Sequence, residues 1–193
     1  MRVITFDDRA FDDACRELTD KVLSACSPDV VIGIASGGDY VARKMLEYMD
    51  GCVPHYFSVS ASRPGHKLKA SRGLKRLYSL FPPCVLDEMR KVEARWLNRF
   101  GNKKERNFSM NTPEKLTNVL QNGVCKILVV DDAIDSGATM AGVVKFLQGE
   151  YPECEILTAV ITITTKAPMC KADFFLHNDC TLVRFPWSND MKR

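Results

Sequence analysis

The chain has 193 residues, 46% of them hydrophobic and 26% charged, with 27 Lys and Arg against 24 Asp and Glu for a formal charge of +3. A chain of this length and composition buries enough surface to fold as one globular domain without disulfides or a structural metal, and disordered, collagen-like and low-complexity classes are excluded. Its eight cysteines are never closer than ten residues, so no C-x-x-C zinc or redox pair exists and they read as reduced thiols. No apolar leader follows Met1-Arg2, and the longest apolar runs are strand-length, which predicts a cytoplasmic protein with no membrane span.

In chain order, residues 2–6 predict a short strand. Phe11, Cys15, Leu18 and Val22 then recur at helical spacing behind Asp7 or Asp8 as a cap. Asp29 to Ala35 is a β-branched run of the kind buried on both faces of a parallel sheet, and it ends in Ser36-Gly37-Gly38-Asp39. Val41, Met45, Tyr48 and Met49 predict a second helix ending by Gly51, and residues 54–60 the next strand.

Positive charge is concentrated in the middle of the chain. Residues 61–110 carry 13 Lys and Arg against 4 Asp and Glu, a local +9, while the remaining 14 against 20 leave −6. Within the stretch, 61–76 holds Arg63, Lys67, Lys69, Arg72, Lys75 and Arg76 and no acid, a run that attracts polyanions such as nucleotides, pyrophosphate or nucleic acid. Val85, Met89, Val92, Trp96 and Phe100 predict an amphipathic helix closed by Gly101, and Thr112-Pro113-Glu114 predicts another helix start.

Lys126 to Val130 predicts a second buried strand. A helix carrying Met140, Val143, Val144 and Leu147, a strand over 155–164 and short strands at 172–176 and 182–185 complete the chain. Strands alternating with helices at this spacing predict an α/β fold, a doubly wound and mainly parallel five-stranded sheet flanked by helices. A small C-terminal hood over 165–193 and a helical basic insertion are expected to elaborate one domain spanning the whole chain.

The segment between that second buried strand and its helix, Asp131-Asp-Ala-Ile-Asp-Ser-Gly-Ala-Thr139, carries the chemistry. Two adjacent carboxylates stand at the end of a central strand, before a small-residue turn that opens a helix. The turn offers backbone N–H groups, the Ser136 and Thr139 hydroxyls and a positive dipole end to an anion, and Gly137 permits close approach. Asp131 and Asp132 sit where the vicinal hydroxyls of a sugar, or a cation attached to them, find acceptors. A ribose carrying a 5-phosphate satisfies both halves.

Together with the strand before it, this stretch resembles the motif by which type I phosphoribosyltransferases bind 5-phosphoribosyl diphosphate (PRPP), and the pattern is nearest to the hypoxanthine and xanthine-guanine enzymes. The resemblance implies that Asp131, Asp132, Ser136, Gly137, Ala138 and Thr139 bind PRPP and that Ser36, Gly37 and Gly38 bind pyrophosphate. It further implies that Asp131 and Asp132 reach Mg²⁺ indirectly, through PRPP or water. Asp135, at the fifth motif position, matches the acid that 6-oxopurine enzymes keep beside N7 of the base and is the expected catalytic residue. Lys166 matches the lysine that contacts the exocyclic oxygen, Leu182 takes the wall position against the base, and Trp187 belongs to the closing strand. The basic run 61–76 falls where the family has a mobile loop that screens departing pyrophosphate.

Two features depart from the family pattern. Ser36 is neutral where Lys or Arg often precedes the Gly pair, and residues 85–111 are extra, to serve as a lid, a dimer interface or a reach toward an unusual acceptor. The implied reaction transfers phosphoribose from PRPP to a free nucleobase with release of pyrophosphate, in a homodimer. Two alternatives are the same reaction on orotate, uracil or adenine, and a PRPP-sensing regulator whose basic insert grips nucleic acid. His55, His66 and His177 form no metal or triad spacing.

Overall fold

The computed structural model describes residues 2–51, 54–62, 109–110, 114–120 and 125–188. The basic run 61–76 beyond Ser62, the amphipathic helix expected over 85–100 and the rest of the insertion through residue 108 lie outside the described residues. In chain order the elements are β1 (Val3–Thr5), α1 (Asp8–Ala25), β2 (Val30–Ile34), α2 (Gly37–Leu46), β3 (His55–Val59), β4 (Ala61–Ser62) and β5 (Ser109–Met110). They are followed by α3 (Glu114–Leu120), β6 (Lys126–Ile134), α4 (Ala138–Glu150), β7 (Glu155–Ile163), β8 (Phe174–His177) and β9 (Leu182–Arg184).

Five strands form one sheet in the order β3-β2-β6-β7-β8, and every neighbouring pair is parallel. The strand pattern explains why. A strand turns successive side chains to opposite faces, and in β2 and β6 both sets are apolar. Val31, Leu128 and Val130 pack on one face against Phe11, Leu18 and Val22 of α1 and Val41 and Met45 of α2. Val30, Ile32, Ile127 and Val129 pack on the other against Leu116 and Leu120 of α3 and Met140, Val143 and Leu147 of α4. A sheet apolar on both sides has to be covered on both, which is the doubly wound arrangement.

Local signals set the helix ends. Asp7 caps α1, its carboxylate accepting from the Ala10 amide at 2.7 Å. Gly137 caps α4 with φ at +77°, a conformation that a side chain resists.

Two features were not expected from the sequence. β6 runs four residues beyond the apolar segment, because β7 pairs with it through Ile134↔Ile163, so Asp131 and Asp132 lie within a strand rather than after it. In addition, β1 pairs in parallel with β9, which joins the amino terminus to the C-terminal segment. Of the 165–193 segment read as hood, residues 174–177 enter the main sheet as its fifth strand. The antiparallel ribbon β4–β5 holds the two ends of the insertion together just past β3.

The strand order changes direction between β2 and β6. From β2 the chain moves outward to β3, then returns on the other side of β2 as β6, so the loops leaving β2 and β6 diverge at their carboxyl ends and leave a crevice there. That crevice is where the two motifs meet.

Leu128 is fully buried at the centre of this sheet. Leu128→Ala is expected to lower the unfolding free energy by about 2–5 kcal/mol, read by urea denaturation. A loss under about 1 kcal/mol would show that the two-sided core is not the main support of the fold.

Candidate active site

The loop after β2 and the end of β6 are pressed together so closely that only glycine fits between them. A Cβ on Gly37 would lie 2.0 Å from Oδ2 of Asp132, and one on Gly38 would lie 2.4 Å from the Val130 carbonyl oxygen and 2.7 Å from the Asp131 Cα. The Gly pair therefore presents bare backbone beside the two acids. The Ala35–Ser36 peptide bond is cis, and Ser36 is exposed at the start of α2.

The first turn of α2 is tied down on its other side. Asp39 accepts a hydrogen bond from the Tyr56 hydroxyl of β3 and another from Nε of Arg43 at 3.0 Å, while the Arg43 guanidinium lies 5.0 Å over the Tyr56 ring. Burial pushes the Asp39 carboxyl up, but hydrogen bonds from Tyr56, Ser58 and Arg43 outweigh it and hold the group below its usual range. Burial, followed by that carboxylate, pushes the Tyr56 phenol up to about 12.

Asp131 and Asp132 are half-buried. The Asp132 amide donates to Oδ1 of Asp131 at 2.9 Å. Burial raises the Asp131 carboxyl well above its ordinary value, and the neighbouring Asp132 charge adds to it. Burial likewise raises Asp132, although its hydrogen bond with Asp131 opposes the shift. A pair of this kind is under electrostatic pressure that hydroxyl donors or a cation would relieve. Among the described residues no group of three or more His, Cys, Asp or Glu could hold a metal ion.

Asp135 is exposed and is fixed by a residue that sequence reasoning missed. The Thr164 hydroxyl, at the end of β7, donates to Oδ1 of Asp135 at 2.6 Å. The signal for it is the Thr162-Ile-Thr164 stretch closing a buried strand, which reads from sequence as β propensity alone. Ser136 is exposed, and its carbonyl accepts from the Met169 amide at 2.9 Å, so the loop after β7 backs this turn. Gly137 is enclosed by that same loop, with the Cys170 amide 2.8 Å from where its Cβ would stand. Ala138 opens α4, its amide 3.4 Å from the Ser136 hydroxyl, and Thr139 follows in the first turn.

The residues expected at the base divide. Lys166 is exposed on the loop that follows Thr164. Leu182 is buried in β9 yet belongs to neither core cluster, whereas its neighbours Val183 and Phe185 do. Trp187, the third residue expected at the base, packs among protein rings. Its indole stacks on Phe185 and on Tyr40, each at 4.8 Å, and meets Phe11 edge-on at 5.0 Å. Protein rings thus engage it, and it ties the C-terminal segment to the turn just beyond the Gly pair.

Two expected outcomes test this geometry. Asp131→Asn keeps the acceptor for the Asp132 amide and removes a charge that the fold disfavours, so the melting temperature should rise by about 3 °C near neutral pH. A raised carboxyl contributes most stability below its ordinary pKa and loses it as pH climbs, so the gap between variant and wild type should widen from about pH 4 to about pH 8. A melting temperature that falls, or a gap that narrows, would contradict the burial of charge. Gly37→Ala should leave the fold intact but force the loop off Asp132. Calorimetry should then show PRPP affinity lowered by about tenfold or more, and unchanged affinity would mean the loop does not face the ligand.

The sequence matches the phosphoribosyl transferase domain family over residues 5–177. No curated protein matches the chain in sequence. Among solved structures, a purine phosphoribosyltransferase from Pyrococcus horikoshii superposes with a TM-score of 0.61 at 17% identity, covering 97% of this chain and 95% of that one. A xanthine-guanine-hypoxanthine phosphoribosyltransferase from Helicobacter pylori gives 0.59 at 18%, covering 96% and 93%. A Neisseria gonorrhoeae protein with bound ppGpp gives 0.62 at 16%, covering 96% and 89%. At these identities the likeness is one of fold. With the family match spanning nearly the whole chain, the protein belongs to the phosphoribosyl transferase domain family, the PRPP-dependent phosphoribosyltransferases.

Proposed function

We propose that the protein transfers the 5-phosphoribosyl group of PRPP to a ring nitrogen of a 6-oxopurine, releasing pyrophosphate. The observation that carries the reading is the contact of the Gly37–Gly38 backbone with the Asp131–Asp132 pair, since it sets a site for the leaving group against a site for the ribose. The solved purine enzymes of similar fold support the choice of acceptor.

Rupture of the C1–O bond generates an oxocarbenium-like centre, so the protein's contribution is positioning and electrostatics. The turn over Ser136 to Thr139 binds the 5-phosphate with backbone N–H groups and the positive end of α4. Asp131 and Asp132 accept from the ribose hydroxyls, which fixes the ring and relieves their mutual repulsion. Asp131 and Asp132 would reach Mg²⁺ indirectly, and the ion, when bound, would supply neutralisation of pyrophosphate charge. Ser36, Gly37 and Gly38 donate backbone hydrogen bonds to the pyrophosphate.

Asp135, held by Thr164, accepts the purine proton as the new bond forms. Lys166 pairs with the exocyclic oxygen of the base, and Leu182 forms an apolar wall. Trp187 acts on the base only through the hood it packs.

PRPP-dependent pyrophosphate release across a panel of free bases tests reaction and acceptor together. Hypoxanthine, guanine or xanthine should be consumed, and turnover confined to orotate, uracil or adenine would overturn the acceptor. PRPP binding with no turnover on any base would favour the PRPP-sensing regulator. Asp135→Asn should lower kcat by about 100-fold or more while PRPP affinity changes by no more than about twofold. Equal losses in both would remove Asp135 from proton transfer.

A further inference from the structure

Two of the described cysteines meet at the end of the sheet opposite the active site. Cys125 and Cys154 immediately precede β6 and β7, and the parallel register that pairs Lys126 with Glu155 sets them side by side. Their sulfurs are 3.0 Å apart. Both backbones are held: the Glu155 amide donates to the Cys125 carbonyl at 2.9 Å, and the Cys154 amide donates to the Tyr151 carbonyl at 3.1 Å. Neighbouring strands lie about 4.8 Å apart, inside the range of about 4.4–6.8 Å between Cα atoms that a disulfide spans, so a bond here requires no movement of the sheet.

Exposure gives the two thiols different parts. Cys125 is buried, with 8% of its surface exposed, in the apolar cluster that also holds Leu147 of α4, whereas Cys154 is half-buried. A small oxidant in solvent reaches Cys154 first and finds Cys125 behind it.

We propose that Cys125 and Cys154 form a reversible dithiol–disulfide pair that takes hydrogen peroxide as oxidant. In the first step the Cys154 sulfur attacks a peroxide oxygen, the O–O bond breaks, and water leaves as Cys154 becomes a sulfenic acid. In the second the Cys125 sulfur displaces hydroxide from the Cys154 sulfur, and the Cys125 proton leaves with it as water. Two electrons pass from the two thiols to one peroxide. Burial, followed by the hydrogen bond with Cys154, pushes the Cys125 thiol up to about 12, in keeping with its place as the enclosed, second sulfur.

The bond would close residues 125–154 into a loop containing β6, the phosphate-binding turn and α4. Constraining that loop in the unfolded chain stabilises the unit that carries the PRPP motif. The site stands apart from the proposed transfer chemistry and does not rest on it.

The test is treatment of the full chain with hydrogen peroxide, followed by quenching, alkylation under denaturing conditions and peptide mapping. The expected result is a dithiothreitol-cleavable link between the Cys125 and Cys154 peptides and a melting temperature raised by about 5–10 °C. Both changes should be absent in Cys154→Ser and in Cys125→Ala. Cys154→Ser, at the half-buried position, decides the matter even where Cys125→Ala does not fold. Sulfinic acid on Cys154 with Cys125 still alkylatable, a link to any other cysteine, or a rise in melting temperature that survives in Cys154→Ser would overturn the proposal.

Discussion

The site depends on one close approach. The backbone of Gly37 and Gly38 lies where any Cβ would overlap the Asp132 carboxylate or the Val130 carbonyl, and this contact joins the start of α2 to the end of β6, which the chain separates by almost a hundred residues. It follows from the strand order. Because β2 and β6 are adjacent and parallel while their following connections go to opposite sides, the loops at their carboxyl ends face one another across a crevice. Packing on both faces keeps the strands in register, and the register sets how near the glycines come to the acids.

That arrangement carries an electrostatic cost that the ligand is suited to relieve. Asp131 and Asp132 are adjacent, partly enclosed and raised in pKa by burial. In the proposed reaction, hydroxyl donors and a metal brought with the substrate would offset that cost. Asp135, by contrast, lies in the open with one firm hydrogen bond from Thr164, an arrangement that orients a carboxylate without removing it from solvent. Three acids in one short segment thus have different environments, and their proposed roles differ accordingly.

Much of this was legible in the residues alone. The β-branched runs at 30–34 and 126–130 marked the two central strands, and the glycine of the turn from Asp135 to Thr139 marked where the next helix opens. The extension of β6 through Ile134 was not, because acids interrupt the apolar run and only pairing with β7 carries the strand onward. The β1–β9 pair was equally hidden: each strand has three residues, and their partnership spans the whole chain. Thr164 carried no mark of its role, since a threonine closing a strand is expected on propensity alone. Trp187 was read from its place near the C-terminus, but its stacking on Tyr40 and Phe185 depends on how α2 and the last segment come together, which no local pattern encodes.

The most direct measurement compares three ligands on the same protein. PRPP, ribose 5-phosphate and pyrophosphate are titrated calorimetrically into the full chain in the presence of Mg²⁺. If the loop after β2 and the turn after β6 are two halves of one pocket, PRPP engages both at once and should bind more than about tenfold tighter than either fragment. PRPP binding no tighter than pyrophosphate alone would mean that the two halves do not act on one ligand.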